Sequence, residues 1–327
     1  MKAVLVEKLG GPESLVYRDH EIESPGPGFV RIKVAYAGVN FPDTLIIRGK
    51  YQFQPELPFS PGGEVSGSII EVGPGVTHFK VGDRVVAGTT AGGFAEEANA
   101  FAFNTHKLPD DVSFEDASAI LLTHGTVIHA LQDRAQLSSK ENLVILGASG
   151  GVGTAAIQLG KIMGANIIAC ASTDEKLSFC KNLGADIVHK YTPENLKSSI
   201  KELTDGEGAD VIFDAVGGDY SEQAFRAIAP MGRHLVIGFA SGGVPAIPWN
   251  LPLLKSASIT GVFWGNFFRK FPEENRKNIQ QLLKWLSSAK FKPQIDHVYP
   301  LYAAGDALRS IEDRAVKGKI ILKASDI

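Results

Sequence analysis

Leu143-Val144-Ile145-Leu146-Gly147-Ala148-Ser149-Gly150-Gly151-Val152-Gly153-Thr154 is the stretch that decides the fold of this chain. An apolar run delivers four glycines within seven residues, and a helical pattern opens directly behind them. Glycine permits the tight strand-to-helix turn, lets backbone N–H groups approach a phosphate, and allows the helix to pack close to a sheet. The N-terminus of the following helix adds unpaired N–H groups and the positive end of a dipole. The spacing Gly147-x-x-Gly150-x-x-Gly153, with Ser149, Gly151 and Val152 in the turn, is a variant of the dinucleotide fingerprint. A plain tight turn is the competing reading, and the residues downstream decide between them.

Beyond Gly153 the chain alternates helical and strand-like segments. Ala155, Ile157 and Leu159 begin a helix that ends near Gly164, and residues 167–171 read as a buried strand. Ser172-Thr173-Asp174-Glu175 reads as a capping box with Ser172 at the N-cap. Leu177, Cys180 and Leu183 share one face of the next helix, which Gly184 closes. Further strands are predicted over 187–189, 209–214, 234–238 and 258–264, and further helices around Leu196, Ile200 and Leu203 and over 222–228. This alternation predicts an α/β architecture with a doubly wound parallel sheet of six strands, the size of a complete dinucleotide-binding domain.

The rest has a different texture. Before about position 120, alternating runs such as Val30, Ile32, Val34 and Tyr36 predict strands, separated by Gly and Pro clusters. The C-terminal part carries an amphipathic helix starting near Pro272, a second helix near 306–311 and a closing strand at 319–322. The expected organisation is a mostly-β domain from residues 1–122 and 267–327, with the Rossmann domain, 123–266, inserted between. At 327 residues the chain has room for two cores, and its net charge of −3 supplies no general attraction to nucleic acid or anionic membrane. No apolar stretch is long enough to span a bilayer, and the start reads as a strand, not a signal peptide. The only cysteines, Cys170 and Cys180, read as packed small hydrophobes, which suits a reducing cytoplasm.

Together these features resemble the medium-chain dehydrogenase/reductase superfamily, and within it the zinc-independent NADPH:quinone oxidoreductases. The carriers are Ala37-Gly38-Val39-Asn40-Phe41-Pro42-Asp43, Gly49-Lys50-Tyr51, Pro61-Gly62-Gly63-Glu64-Val65-Ser66-Gly67, Glu71-Val72-Gly73 and Val81-Gly82-Asp83-Arg84-Val85. They continue through the 147–153 loop, Asp214-Ala215-Val216-Gly217-Gly218 and Gly318-Lys319-Ile320-Ile321-Leu322. The resemblance implies a GroES-like β domain, a Rossmann domain, a nicotinamide held between them, and a homodimer formed through the edge strand near 258–264. The zinc-dependent alcohol dehydrogenase branch resembles this chain but has a Cys where Asn40 stands and a His where Gly63 stands. With no cysteine before position 170, no metal site is expected, and the expected acceptor is already electrophilic, a quinone or an enone.

For the cofactor, an NAD-binding Rossmann domain usually ends its second strand in an acidic residue, and here that place falls on Ala171 or Ser172. Asp174 and Glu175 fit the solvated first turn of a helix better. Ser172 and Lys176 are therefore read as 2′-phosphate partners, and NADPH is expected. The resemblance adds Tyr191 near the adenosine phosphate, Asn40 and Thr126 near the nicotinamide, and Lys319 among the cofactor-facing residues. By the switch-point rule, Gly238-Phe239-Ala240 and Val262-Phe263-Trp264 rim the nicotinamide pocket. Asp43 and Tyr51 are candidate polar groups on the acceptor side, against the blander readings of a turn cap and a packed ring. Three functions compete: quinone reduction, reduction of an enone, 2-alkenal or enoyl thioester with Tyr51 as proton donor, and non-catalytic NADPH or RNA binding. The last lacks a basic stripe with interleaved aromatics.

Overall fold

Val30, Ile32 and Val34 lie buried along one face of the long strand that organises the first unit of the computed structural model, which describes residues 1–326. That unit comprises residues 1–122 and 267–327, and the second comprises 123–266. The chain opens with β1 (Lys2–Val6), β2 (Leu15–Asp19), β3 (Phe29–Val39), α1 (Phe41–Ile46), β4 (Glu64–Val72), β5 (Arg84–Gly88), β6 (Glu97–Phe101), β7 (Thr105–Lys107) and α2 (Phe114–Ala117). The second unit runs α3 (Thr123–Ile128), β8 (Asn142–Leu146), α4 (Gly151–Ile162), β9 (Asn166–Ala171), α5 (Asp174–Asn182), β10 (Ile187–Lys190), α6 (Leu196–Leu203), β11 (Ala209–Asp214), α7 (Asp219–Arg226), β12 (Ile228–Val236), α8 (Asn250–Lys255) and β13 (Ser258–Gly261). The chain closes with α9 (Trp264–Lys270), α10 (Pro272–Ser287), β14 (Ile295–Pro300), α11 (Ala304–Glu312) and β15 (Lys319–Lys323).

In the first unit, β14-β15-β3-β4-β5-β7 form a sheet, with β6 also on β3. Register matters here more than shape. β15 runs antiparallel to β3 with Ile320 opposite Val39, and β4 runs antiparallel to β3 with Val65 opposite Ala37. One step further along each ladder, Lys319 and Glu64 arrive beside the end of β3, where Asn40 leaves the sheet. The core beneath gathers Val30, Ile32, Val65, Ile69, Leu308 and Leu322. Each such side chain contributes about 1.5–3 kcal/mol on burial.

The second unit is a six-stranded sheet in the order β10-β9-β8-β11-β12-β13, every neighbouring pair parallel. One face, carrying Val144, Leu146, Ile168, Cys170 and Ile212, packs on Leu196 and Ile200 of α6, Phe225 of α7 and Leu251 of α8. Both cysteines are free and buried, and burial pushes the Cys170 thiol up to about 12 and the Cys180 thiol up to about 11.

Several boundaries differ from the sequence reading. The N-cap of α5 is Thr173, whose Oγ1 accepts the Lys176 N–H at 3.2 Å, so Ser172 is released to the surface. Starting one residue later places Asp174 and Glu175 in the first turn and keeps Leu177 and Cys180 inward. Helix α7 begins at Asp219, three residues early, because Gly217 and Gly218 turn the chain at φ of 74° and 60°. The fifth strand spans Ile228–Val236 in place of 234–238, and its apolar pattern is broken by a register shift with Met231 at a φ of 64°. The sixth strand stops at Gly261, and Trp264 starts a helix. After α3, residues His129–Arg134 wind into a wide turn for which no sequence signal stood out.

Candidate functional site

In the second unit, β8 ends at Leu146 and the chain turns through Gly147 at a φ of 71° into α4. Gly150 is the N-cap and no side chain caps the helix, so the N–H groups of Gly151, Val152 and Gly153 have no intrahelical acceptor. Thr154, the next residue, already donates to the Gly150 carbonyl at 2.8 Å. A Cβ on Gly153 would stand 2.3 Å from the Gly147 oxygen, whereas on Gly150 its nearest neighbour would be 3.5 Å away. Gly153 is thus required for packing, and Gly150 leaves open space over bare N–H groups. Ser149 is buried in the same turn. This is a cradle for an anion at the head of a 12-residue helix.

Tyr191, after β10, lies within electrostatic reach of the Gly147 N–H of the same loop, and its ring meets Tyr220 edge-on at 4.8 Å. Burial raises the Tyr191 hydroxyl above its ordinary value. At the end of β9, Ser172 is exposed, Lys176 is half-buried, and Asp174 pairs with Lys190 at 3.0 Å. The strand end itself carries no carboxylate.

Residues 238–240 form a loop in place of a strand end. Gly238 donates to the Asp214 carbonyl and Ala240 to that of Ala215. Asp214 is the hub of this edge. Its Oδ1 accepts the N–H groups of Val216 and Gly217, both at 2.9 Å, and its Oδ2 accepts the Ser221 hydroxyl at 2.5 Å and faces His234 Nε2 at 3.1 Å. Burial pushes the Asp214 carboxyl up, but His234 and these donors hold it below the ordinary range. Phe239 is half-buried, Val262 and Trp264 are buried, and Phe263 is exposed. Trp264 packs over Gly125 of α3, where an added Cβ would meet the indole at 3.1 Å. Thr126 is the neighbouring residue on α3, half-buried.

In the first unit, the structure gathers Asn40, Asp43, Glu64 and Lys319. Pro42 opens α1, and Asp43 in its first turn reaches back to accept the Asn40 N–H at 2.8 Å. The other Asp43 oxygen accepts the Gly62 N–H at 3.2 Å. Burial pushes the Asp43 carboxyl up to about 7, against the pull of those N–H groups and of the Lys319 ammonium. Glu64 is 0% exposed: Oε2 accepts the Leu122 N–H at 2.8 Å, and Oε1 accepts from the Asn40 amide at 2.8 Å and from Lys319. Lys319 also donates to Asn40 Oδ1. Both Asn40 amide hydrogens are engaged, the second with the Gly38 carbonyl at 3.3 Å. Gly38 is itself forced, since a Cβ there would lie 2.3 Å from Glu64.

Tyr51 packs its ring on the first unit's core. Its hydroxyl is raised above the ordinary value by burial and by Asp43, and lowered by Arg269. Asp43 is a buried cap, whereas the Tyr51 hydroxyl lies within electrostatic reach of both Asp43 and Arg269. Two residues escaped the sequence reading. Glu64 stood inside a quoted motif with nothing to mark it as buried, and Arg269, on a polar helix end, carries no sequence signal at all. Among the described residues no group of three His, Cys, Asp or Glu side chains stands close enough to hold a metal ion, and no helix is long and apolar enough to cross a membrane.

Comparison with known proteins identifies the family. Residues 26–110 match the alcohol dehydrogenase GroES-like domain, and 151–288 match the zinc-binding dehydrogenase model. The chain is 39% identical over 326 residues to the quinone oxidoreductase-like protein 2 homolog of Nematostella vectensis, covering 98% of this chain and 88% of that protein. Two solved structures are similar throughout. The Pseudomonas syringae quinone oxidoreductase gives a TM-score of 0.92 at 35% identity, with 98% of this chain and 99% of that chain covered. The Escherichia coli quinone oxidoreductase complexed with NADPH gives 0.93 at 30%, with 99% and 100% covered.

Proposed function

The chain belongs to the quinone oxidoreductase family of the medium-chain dehydrogenase/reductase superfamily, and from that premise we propose that it reduces quinones with NADPH, without zinc. The observation that carries the reading is the buried cluster of Asn40, Glu64 and Lys319. Where a zinc site needs thiolate and imidazole, this chain has Asn40 and Gly63, and Glu64 already holds an ammonium. A divalent cation beside Lys319 would meet like charge in a buried setting. The chemistry that remains is reduction of an acceptor that needs no Lewis acid.

NADPH supplies the hydride from its nicotinamide C4. The bare first turn of α4 and the open face of Gly150 suit its pyrophosphate. Ser172 and Lys176 suit a 2′-phosphate, since no carboxylate stands at the end of β9 to repel it. Asn40 has both amide hydrogens engaged, so it accepts: its role is to take a hydrogen bond from a cofactor hydroxyl, and not to polarise the acceptor's carbonyl. Lys319 acts through Asn40 as a positioning residue. A second reading, reduction of an enone or 2-alkenal, is favoured by Tyr51, whose half-buried hydroxyl meets no partner among the described residues and has a proton to give.

A second copy of the chain is the proposed partner. Strand β13 is the outer edge of its sheet, and Trp249 (85% exposed) and Leu253 (77%) stand on the neighbouring turn and helix. The proposed setting is the cytoplasm, in keeping with two free thiols. Steady-state NADPH oxidation with 1,4-benzoquinone, a 2-alkenal and crotonyl-CoA, before and after exhaustive chelation, tests the function. Turnover of the quinone that survives chelation is expected. No oxidation with any quinone ends the leading reading, and loss of rate on chelation ends its zinc-free form.

A further inference from the structure

Arg269, near the end of α9, is held from three sides within the first unit. Its guanidinium lies 5.5 Å from the Phe268 ring centroid and 5.9 Å from that of Phe53, and its Nη2 donates to Thr90 Oγ1 at 3.1 Å. Phe53 is 40% exposed, so its ring offers a free surface beside the cation. Thr90 makes its contact from a backbone φ of 67°, a conformation that a β-branched residue rarely adopts. Strain of this kind persists only where the surroundings impose it, and it collects at binding sites. Thr90 is the one side chain that fixes the guanidinium by a hydrogen bond; among the described residues its other N–H groups meet no acceptor.

Tyr51 stands in the same group. Its hydroxyl is within electrostatic reach of Arg269, and it too has no hydrogen-bond partner among the described residues. Two donors with unspent capacity therefore sit together beside an exposed aromatic face. An oxygen of a planar, electron-poor molecule answers to this arrangement: the ring or double bond lies on Phe53, and the oxygen takes N–H from Arg269 and O–H from Tyr51.

We propose that Arg269 binds the oxygen of the acceptor and stabilises the negative charge that reduction places on it, with Tyr51 as its companion donor. This rests on the NADPH-dependent reduction proposed above. Hydride carries two electrons and one proton to the acceptor, the acceptor's π pair moves onto oxygen, and one proton from Tyr51, replaced from water, gives the hydroquinone or, from an enone or 2-alkenal, the enol that tautomerises in water to the saturated carbonyl, as NADPH becomes NADP⁺. The guanidinium lowers the energy of the oxyanion formed between those events. Arg269 is thus the residue that extends the acceptor range from quinones, whose reduced oxygen is weakly basic, to enones and 2-alkenals, whose reduced oxygen is strongly basic.

Arg269→Met keeps the length and removes the charge; Arg269→Lys keeps the charge and loses the fork. In steady-state assays with saturating NADPH, Arg269→Met is expected to lose about a hundredfold in kcat/KM toward a 2-alkenal and about tenfold toward 1,4-benzoquinone. Arg269→Lys recovers part of both. NADPH binding, followed by nicotinamide fluorescence, stays within about twofold, as a group acting on the acceptor oxygen requires. Unchanged rates, an equal loss for both acceptors, or a parallel loss of NADPH affinity would overturn the assignment. If the wild-type chain oxidises NADPH with neither acceptor, the underlying function falls and the role of Arg269 with it; if the wild type turns over and Arg269→Met matches it, only the role of Arg269 falls.

Discussion

The ammonium of Lys319, near the end of the chain, is bonded to the carboxylate of Glu64, 255 residues earlier, and both side chains are almost wholly buried. Sheet register joins them, since β15 and β4 flank β3 on opposite sides. Removing one member of such a pair strands the other charge in a medium that solvates it poorly. Lys319→Met is expected to cost about 3–5 kcal/mol. Adding Glu64→Gln to it should restore most of the loss, because the two neutral groups no longer need each other. Urea titration of the two single variants and the double variant measures this, and strictly additive losses would contradict it.

Asp43 gives stability an unusual pH dependence. Burial lifts its carboxyl to about 7 in the folded chain, against an ordinary 3.8. Between those values the folded chain keeps a proton that the unfolded chain has released, so this group's contribution is full below 3.8 and fades as pH rises to about 7. Asn40, Gly62, Lys319, Glu64 and Tyr51 are the groups that face it. The stability of the wild type minus that of Asp43→Asn is expected to slope downward from acid to neutral pH. An upward slope would refute the assignment.

The proposed 2′-phosphate contacts lie at the end of β9. Ser172→Asp places a carboxylate where the ribose edge is proposed to lie. It is expected to lower kcat/KM for NADPH by roughly tenfold to a hundredfold and to raise that for NADH. Equal rates with both cofactors in wild type and variant would remove Ser172 from the site.

The middle and last positions of the Gly147-x-x-Gly150-x-x-Gly153 turn separate folding from binding. Gly153→Ala drives a Cβ to 2.3 Å from the Gly147 oxygen and should leave little folded protein. Gly150→Ala meets nothing closer than 3.5 Å, so the thermal midpoint should hold while NADPH affinity falls at least about tenfold. Calorimetry and fluorescence titration on one preparation read both quantities.

The proposed self-association through β13 predicts that charge on its exposed border blocks it. Leu253→Glu with Leu254→Glu should shift sedimentation from dimer to monomer, without unfolding, because both side chains are exposed. A wild type that sediments as a monomer at micromolar concentration would dismiss the partner.

Much of this was readable from the chain alone because glycine patterns and strand periodicity are local. The 147–153 turn, the alternation behind it and the buried cysteines needed no knowledge of long-range contacts. What stayed hidden depends on pairing across sequence. Asn40, Glu64 and Lys319 become one cluster only when the registers of β3, β4 and β15 are known. The cap of α5 moved from Ser172 to Thr173 because two adjacent hydroxyls can each cap, and only packing of Leu177 and Cys180 chooses between them. Arg269 was invisible for the opposite reason: an arginine on a polar helix end looks like solvent-facing charge until Phe53 and Thr90 are seen against it.

The two thiols carry a last consequence. Quinones and enones alkylate thiolates, so the acceptors proposed above would poison a catalyst that left a thiol within their reach. Cys170 and Cys180 are shut inside the second unit and held as thiols far above neutral pH. With no other cysteine in the sequence, the folded chain offers no exposed thiol to such electrophiles, and alkylation of Cys170 and Cys180 is set by how rarely the chain unfolds.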